Sequence, residues 1–144
     1  MAEKKPLVLG DDGLWEVLQP SDSLTPTETR LSVNQASHGF SVGNILRHDG
    51  SDYQLAQANT SENAEVIGIV SEVLDANSFK IQFIGIVNYL TGITPGKSYF
   101  LSPTVAGNLT DVEPTTTGQI SKPLLTAVST TGGFFFNYRG IRIP

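Results

Sequence analysis

The chain of 144 residues has no cysteine, so neither a disulfide framework nor a thiolate metal site can belong to its design. Stability must come from packing, and an apolar content of 39% is enough for one modest core. Histidine is nearly absent as well. His38 and His48 form no His-x-x-x-His pair, and two imidazoles fall short of the three protein ligands of a usual catalytic zinc. Long hydrophobic runs are missing: no window approaches the ~18 apolar residues of a membrane-spanning helix. The apolar stretch after Lys4-Lys5-Pro6 stops at Leu9, too soon for a secretory signal. The expectation is a mature chain that is the whole sequence, made in the cytosol, with no contact to membrane. Helix signals are scarce too, because 14 glycines and eight prolines interrupt most windows longer than about ten residues.

Charge is plentiful but unevenly placed. All 14 carboxylates lie at or before Glu113 beside six of the nine lysines and arginines, a net −8, while the last 31 residues carry Lys122, Arg139 and Arg142, a net +3. An acidic chain without a basic stripe is a poor nucleic-acid binder, since phosphate contacts supply most of that affinity. The basic end suits an acidic partner, or is simply a solvated tail.

What is present reads as strand. Leu7–Leu9 and Leu14–Leu18 flank Asp11-Asp12-Gly13, and Ile45–His48 and Tyr53–Ala56 flank Asp49-Gly50-Ser51-Asp52. Asp-Gly marks a tight turn because it tolerates positive φ, so both pairs read as hairpins. Residues 23–30, rich in Ser, Thr and Pro, read as an extended linker. Val66–Val73 is nearly continuous in apolar residues, as a central strand is. Ser78–Ile84 alternates Phe79, Ile81 and Phe83 with polar neighbours, the period of a strand with one buried face. Gly85–Leu90 continues after a glycine bend. Pro95-Gly96 signals a type II turn before a strand at Ser98–Leu101, with a second turn at Thr104–Asn108 and a loop over Asp111–Gln119. Leu124–Val128 and Phe134–Tyr138 pair across Thr131-Gly132-Gly133. Ser61–Glu65 is the one place for a helical turn, with Ser61 as its cap. The pattern predicts an all-β fold, an antiparallel barrel or sandwich over 31–144, with an N-terminal hairpin arm and linker over 1–30.

Catalytic chemistry finds no footing. Thr94-Pro95-Gly96-Lys97-Ser98 resembles the end of a phosphate loop, but Thr91 stands where its first glycine belongs, and a strand follows instead of a helix. Serines, His48 and the Asp49/Asp52 pair do not fall in a nucleophile-elbow motif, and the aspartates sit where turns want them. Asn59-Thr60-Ser61 and Asn108-Leu109-Thr110 match glycosylation acceptors, and with no secretory signal read here the expectation is that both are coincidental. No catalytic residue, cofactor or metal is assigned, and the chain is expected not to be an enzyme.

The aromatics carry more. In Phe134-Phe135-Phe136 the outer two share one face of a strand and Phe135 takes the other, so one face is open to a neighbouring subunit or both are covered within the chain. Trp15 lies in a hairpin too small to bury it alone. Tyr53, Tyr89 and Tyr138, if exposed, would suit a carbohydrate-binding module instead.

Several segments together resemble small virion proteins of tailed bacteriophages. They are Lys5-Pro6-Leu7-Val8-Leu9, Gly13, and Leu18-Gln19-Pro20-Ser21-Asp22-Ser23-Leu24 in the arm. In the body they are Ser41-Val42-Gly43, Tyr53-Gln54-Leu55-Ala56-Gln57-Ala58, Gly68-Ile69-Val70, the stretch from Gly92 to Ser102, Gly107-Asn108-Leu109-Thr110, and Arg139-Gly140. These are turn-and-strand signatures over most of the chain, and they assign no active site. The resemblance implies a homotrimeric structural protein of the virion. The first choice is a capsid decoration (cement) protein bound to the major capsid protein on the outer head; the alternative is a head- or tail-fibre module for attachment or host-glycan binding. Expected capsid or inter-subunit contacts are Lys4, Lys5, Leu7, Leu9, Trp15, Phe135, Arg139 and Arg142.

Overall fold

The computed structural model describes residues 29–144 in full, and residues 7–9 and 15–17 by their backbone. The protein is all-β and antiparallel, with no helix among the described residues. The N-terminal hairpin forms as expected: β1 (Leu7–Leu9) pairs with β2 (Trp15–Val17), placing Leu9 opposite Trp15.

The first half of the body supplies β3 (Arg30–Asn34), β4 (Ile45–His48), β5 (Tyr53–Leu55), β6 (Val66–Asp75) and β7 (Ser78–Gln82). The second half supplies β8 (Gly85–Val87), β9 (Ser98–Leu101), β10 (Leu109–Thr110), β11 (Ile120–Ser121), β12 (Pro123–Ser129), β13 (Gly132–Phe135) and β14 (Ile141–Arg142). They build two open five-stranded sheets, in the orders β3-β7-β6-β4-β5 and β10-β9-β12-β13-β8, and a short β11-β14 ribbon. The arrangement is a sandwich; neither sheet closes into a barrel.

The main core lies between the sheets. Ile45, Val66 and Ile69 of the first sheet meet Val87, Tyr99, Leu101, Leu125, Ala127 and Phe135 of the second. Leu124 and Leu125 are consecutive yet both fully buried, because the register with β9 shifts between Pro123 and Leu125 and turns both inward. The long apolar run of β6 does sit at the centre of its sheet, and its successive residues serve opposite faces. Ile69 enters the main core, while Val70 joins Leu46, Phe79 and Ile81 in a second cluster on the far side.

That second cluster is roofed by the loop between β3 and β4. Phe40 and His38 pack on the Phe79 ring at centroid distances of 5.2 and 5.0 Å, and Tyr53 reaches it edge-on at 5.7 Å. Backbone bonds from Gln35 and His38 to the β6–β7 turn hold the loop down. The Gln35 side chain pairs with Tyr53 much as a strand would, donating Nε2 to the carbonyl (3.0 Å) and accepting the amide with Oε1 (2.9 Å).

Two expectations need correction. Ser78–Ile84 was to bury one face only, yet Gln82 on the opposite face is 2% exposed. Its amide donates to the carbonyls of Ile84 (3.1 Å) and Ile86 (3.0 Å), and its Oε1 accepts the Tyr89 hydroxyl at 2.8 Å. A buried amide is tolerable when its donors and acceptor are all engaged. Here it fastens the corner at Gly85 (φ +112°), where the chain leaves the first sheet for the second. Burial also pushes the Tyr89 phenol up, against the weaker pull of the Arg30 guanidinium, 6.0 Å from its ring. The second correction concerns 61–65, which is a turn without helix. Thr60, not Ser61, holds it, with Oγ1 accepting the Asn63 amide and its carbonyl accepting that of Ala64, both at 3.1 Å.

Gln82→Ala removes the partner of two carbonyls and a phenol hydroxyl at a part-buried corner, each costing about 1–3 kcal/mol where water cannot replace it. The expected loss is about 3 kcal/mol by urea denaturation, with Tyr89→Phe costing less.

Candidate functional site

Alternation along β13 decides which aromatics reach the surface. Phe135 stands opposite Leu125 and points into the main core, 1% exposed. Phe134 stands between Thr126 and Ile86 and points outward. A cross-strand row, Ile86–Phe134–Thr126–Ser98, therefore runs over the outer face of the second sheet. Ile86 is 64% exposed and Phe134 51%. Beyond the end of β13, Phe136 packs against Tyr138 at 4.6 Å between ring centroids, and Tyr138 is 60% exposed. Tyr138 walls a groove of about 470 Å³ with Phe100, Pro123, Arg139 and Ile141. Ile84 and Val128 are exposed apolar residues as well. The second sheet presents an aromatic and aliphatic outer face to solvent, while the first buries residues on both faces and leaves Leu31 47% and Leu74 50% exposed.

The expected contact residues fall unevenly. Lys4 and Lys5 lie outside the described residues. Leu7, Leu9 and Trp15 lie on the hairpin strands. Phe135 is corrected outright: it fills this chain's own core, and the outward aromatics of that segment are Phe134 and Tyr138. Strand spacing fixes which residues share a face, but not which face is inside. Arg139 and Arg142 are exposed and line a second cavity of about 260 Å³ together with Lys122, whose place there no local sequence signal announces. Of the three tyrosines considered for sugar stacking, Tyr53 is engaged with Phe79 and His48, Tyr89 with Gln82, and only Tyr138 is exposed.

The polar groups once weighed for chemistry serve the backbone. His38 accepts the Phe40 amide on Nδ1 (2.9 Å) and bonds the Asp75 carbonyl with Nε2 (2.7 Å), an arrangement that calls for the Nε2–H tautomer. His48 accepts the Gly50 amide. Asp49 accepts the Ser51 and Asp52 amides at 2.8 Å each and the Gln54 amide group, which hold its carboxyl down to about 2. Lys97, in the sequence that resembles a phosphate loop, pairs with Asp111 at 2.7 Å, and β9 follows it. Among the described residues no three His, Asp or Glu side chains gather as a metal-binding group. No helix of these residues is long and apolar enough to cross a membrane.

The chain matches no protein-family model, and neither a curated protein nor a solved structure was found to be similar to it.

Two outcomes are expected. Phe135→Ala should cost about 3–5 kcal/mol of folding stability, and Phe134→Ala less than about 1, by chemical denaturation. The Asp49 carboxylate is the bonded form, so the order it lends the hairpin tip is full above the ordinary carboxylate range. That order is lost as pH falls through about 2. A carboxyl ¹³C titration of Asp49 should have its midpoint there.

Proposed function

We propose that this protein works by assembly: it is a non-enzymatic virion component, a decoration protein that binds the outer head of a tailed bacteriophage as a homotrimer. The observation that carries the reading is the open outer face of the second sheet. Large apolar groups gathered on an exposed face commonly mark a protein-binding surface. Ile86, Phe134 and Tyr138 are its anchors, with aromatic residues of the type enriched in interface centres. In the trimer this face packs against neighbouring copies. The basic N-terminus at Lys4-Lys5 and the hairpin bearing Leu7, Leu9 and Trp15 then reach the major capsid protein.

The mechanism is linkage. A ligand that binds assembled capsid and not its separated subunits stabilises the assembled state by mass action. Three arms on one trimer make the second and third contacts intramolecular, so individually weak contacts hold firmly. The resemblance of the sequence to small phage virion proteins supports the same reading.

A second reading, a fibre or spike module that attaches to host glycans, draws on one feature. Tyr138 offers an exposed ring at the rim of the 470 Å³ groove, beside Arg139.

Immunogold labelling of purified particles separates the two. Label over the whole head is expected, together with capsids that withstand more heat or chelator when the protein is present. Label confined to the tail or to sparse projections favours the fibre reading, and unlabelled particles overturn both.

A further inference from the structure

The three cations of the last 31 residues are spread over 21 positions of sequence, yet Lys122, Arg139 and Arg142 line one cavity of about 260 Å³. Three segments build it. β11 and β14 pair so that Ile120 stands opposite Arg142. Gly140 permits the close approach: a Cβ there would run into the Ile120 side chain and lie 3.2 Å from Cβ of Lys122. The Thr60-held turn supplies Ser61, Ala64 and Glu65, and the Ile120 amide donates to the Ala58 carbonyl at 2.9 Å, tying that turn to β11. The segment leading to Arg139 is anchored by the Asn137 side chain, which donates to the Val66 carbonyl.

The electrostatics of this cavity are unbalanced. Lys122 is 5% exposed. The ion pairs among the described residues are Lys80–Glu72 and Lys97–Asp111, so no described carboxylate pairs with Lys122, Arg139 or Arg142 within 4.0 Å. Glu65 is the one carboxylate of the lining, which leaves two positive charges over. Burial holds the Lys122 ammonium below the usual lysine range, with Glu65 pulling the other way. A buried cation without a close counter-charge is costly. Apart from Glu65, the polar side chains of the lining are donors or a hydroxyl, and guanidinium forks match the paired oxygens of carboxylate and phosphate.

We infer that this cavity is a binding site for a small, multiply charged oxyanion, a phosphate group or a pair of carboxylates. Lys122 supplies a charge from the floor, Arg139 and Arg142 close on the ligand from one side, and Ser61 donates from the other. Glu65 opposes any anion and weakens the site, while the surplus of positive charge favours doubly over singly charged ligands. The site shares Arg139 with the groove beside Tyr138 but does not rest on the capsid reading.

The test is ¹⁵N NMR of the full chain, titrated with inorganic phosphate and with succinate against chloride at the same ionic strength. Saturable shifts confined to residues 61–65, 120–122 and 139–142 are expected with at least one of the two. Phosphate preference identifies a free or esterified phosphate as the ligand, and succinate preference identifies carboxylates such as those of acidic side chains. Arg142→Ala removes one charge-assisted contact at an exposed position and should weaken binding at least about tenfold. Glu65→Gln should tighten it. Shifts that chloride reproduces, no saturation with either anion, or unchanged affinity in Arg142→Ala would overturn the assignment.

Discussion

The first sheet carries apolar side chains on both faces, and the rest of the molecule is arranged around covering them. β6 sets the problem. Ile69 and Val70 are adjacent, so they point to opposite sides, and both are fully buried. One side is covered by the second sheet, across the core that holds Leu125 and Phe135. The other is covered by a loop, whose Phe40 and His38 lie over Phe79. The crossing between sheets occurs at one corner, and Gln82 holds it by satisfying two carbonyls that would otherwise be stranded. Local hydrogen bonding, not only apolar area, thus determines how the sheets meet.

The first sheet buries residues on both faces, and the second does so on one. Its inner residues complete the main core, and its outer row of Ile86 and Phe134 has nothing of the described chain above it. This asymmetry links the fold to the proposed role. A chain of this size has a limited supply of side chains with which to close its own surfaces, and an apolar face left open invites another molecule. The cationic cavity is a separate product of the same economy, because the short β11-β14 ribbon folds the end of the chain back over Lys122.

Much of the fold was legible in the sequence because turn chemistry is local. Asp49-Gly50 and Asp11-Asp12-Gly13 marked two hairpins, Pro95-Gly96 marked the turn before β9, and the apolar run from Val66 marked the central strand. What escaped depends on contacts distant in sequence. Gln82 looked like the solvent side of an alternating strand, since nothing near it announces the carbonyls of Ile84 and Ile86 or the hydroxyl of Tyr89. Phe135 looked as available as Phe134, because alternation says which residues share a face and leaves the inside to be chosen by the opposing sheet. β11 and β14 are two residues each and have no period to read. The surplus of positive charge at the C-terminus was visible, but its gathering into one cavity rests on Gly140 lying against Ile120.

The central claim is that the outer face of the second sheet is covered by other copies of the chain. Sedimentation equilibrium of the full-length protein, beside an Ile86→Asp/Phe134→Asp double variant, addresses it most directly. The expected result is a particle of three 15.4 kDa chains that falls to a single folded chain in the variant. A wild-type protein that stays monomeric throughout the micromolar range, or a trimer indifferent to both aspartates, would contradict it.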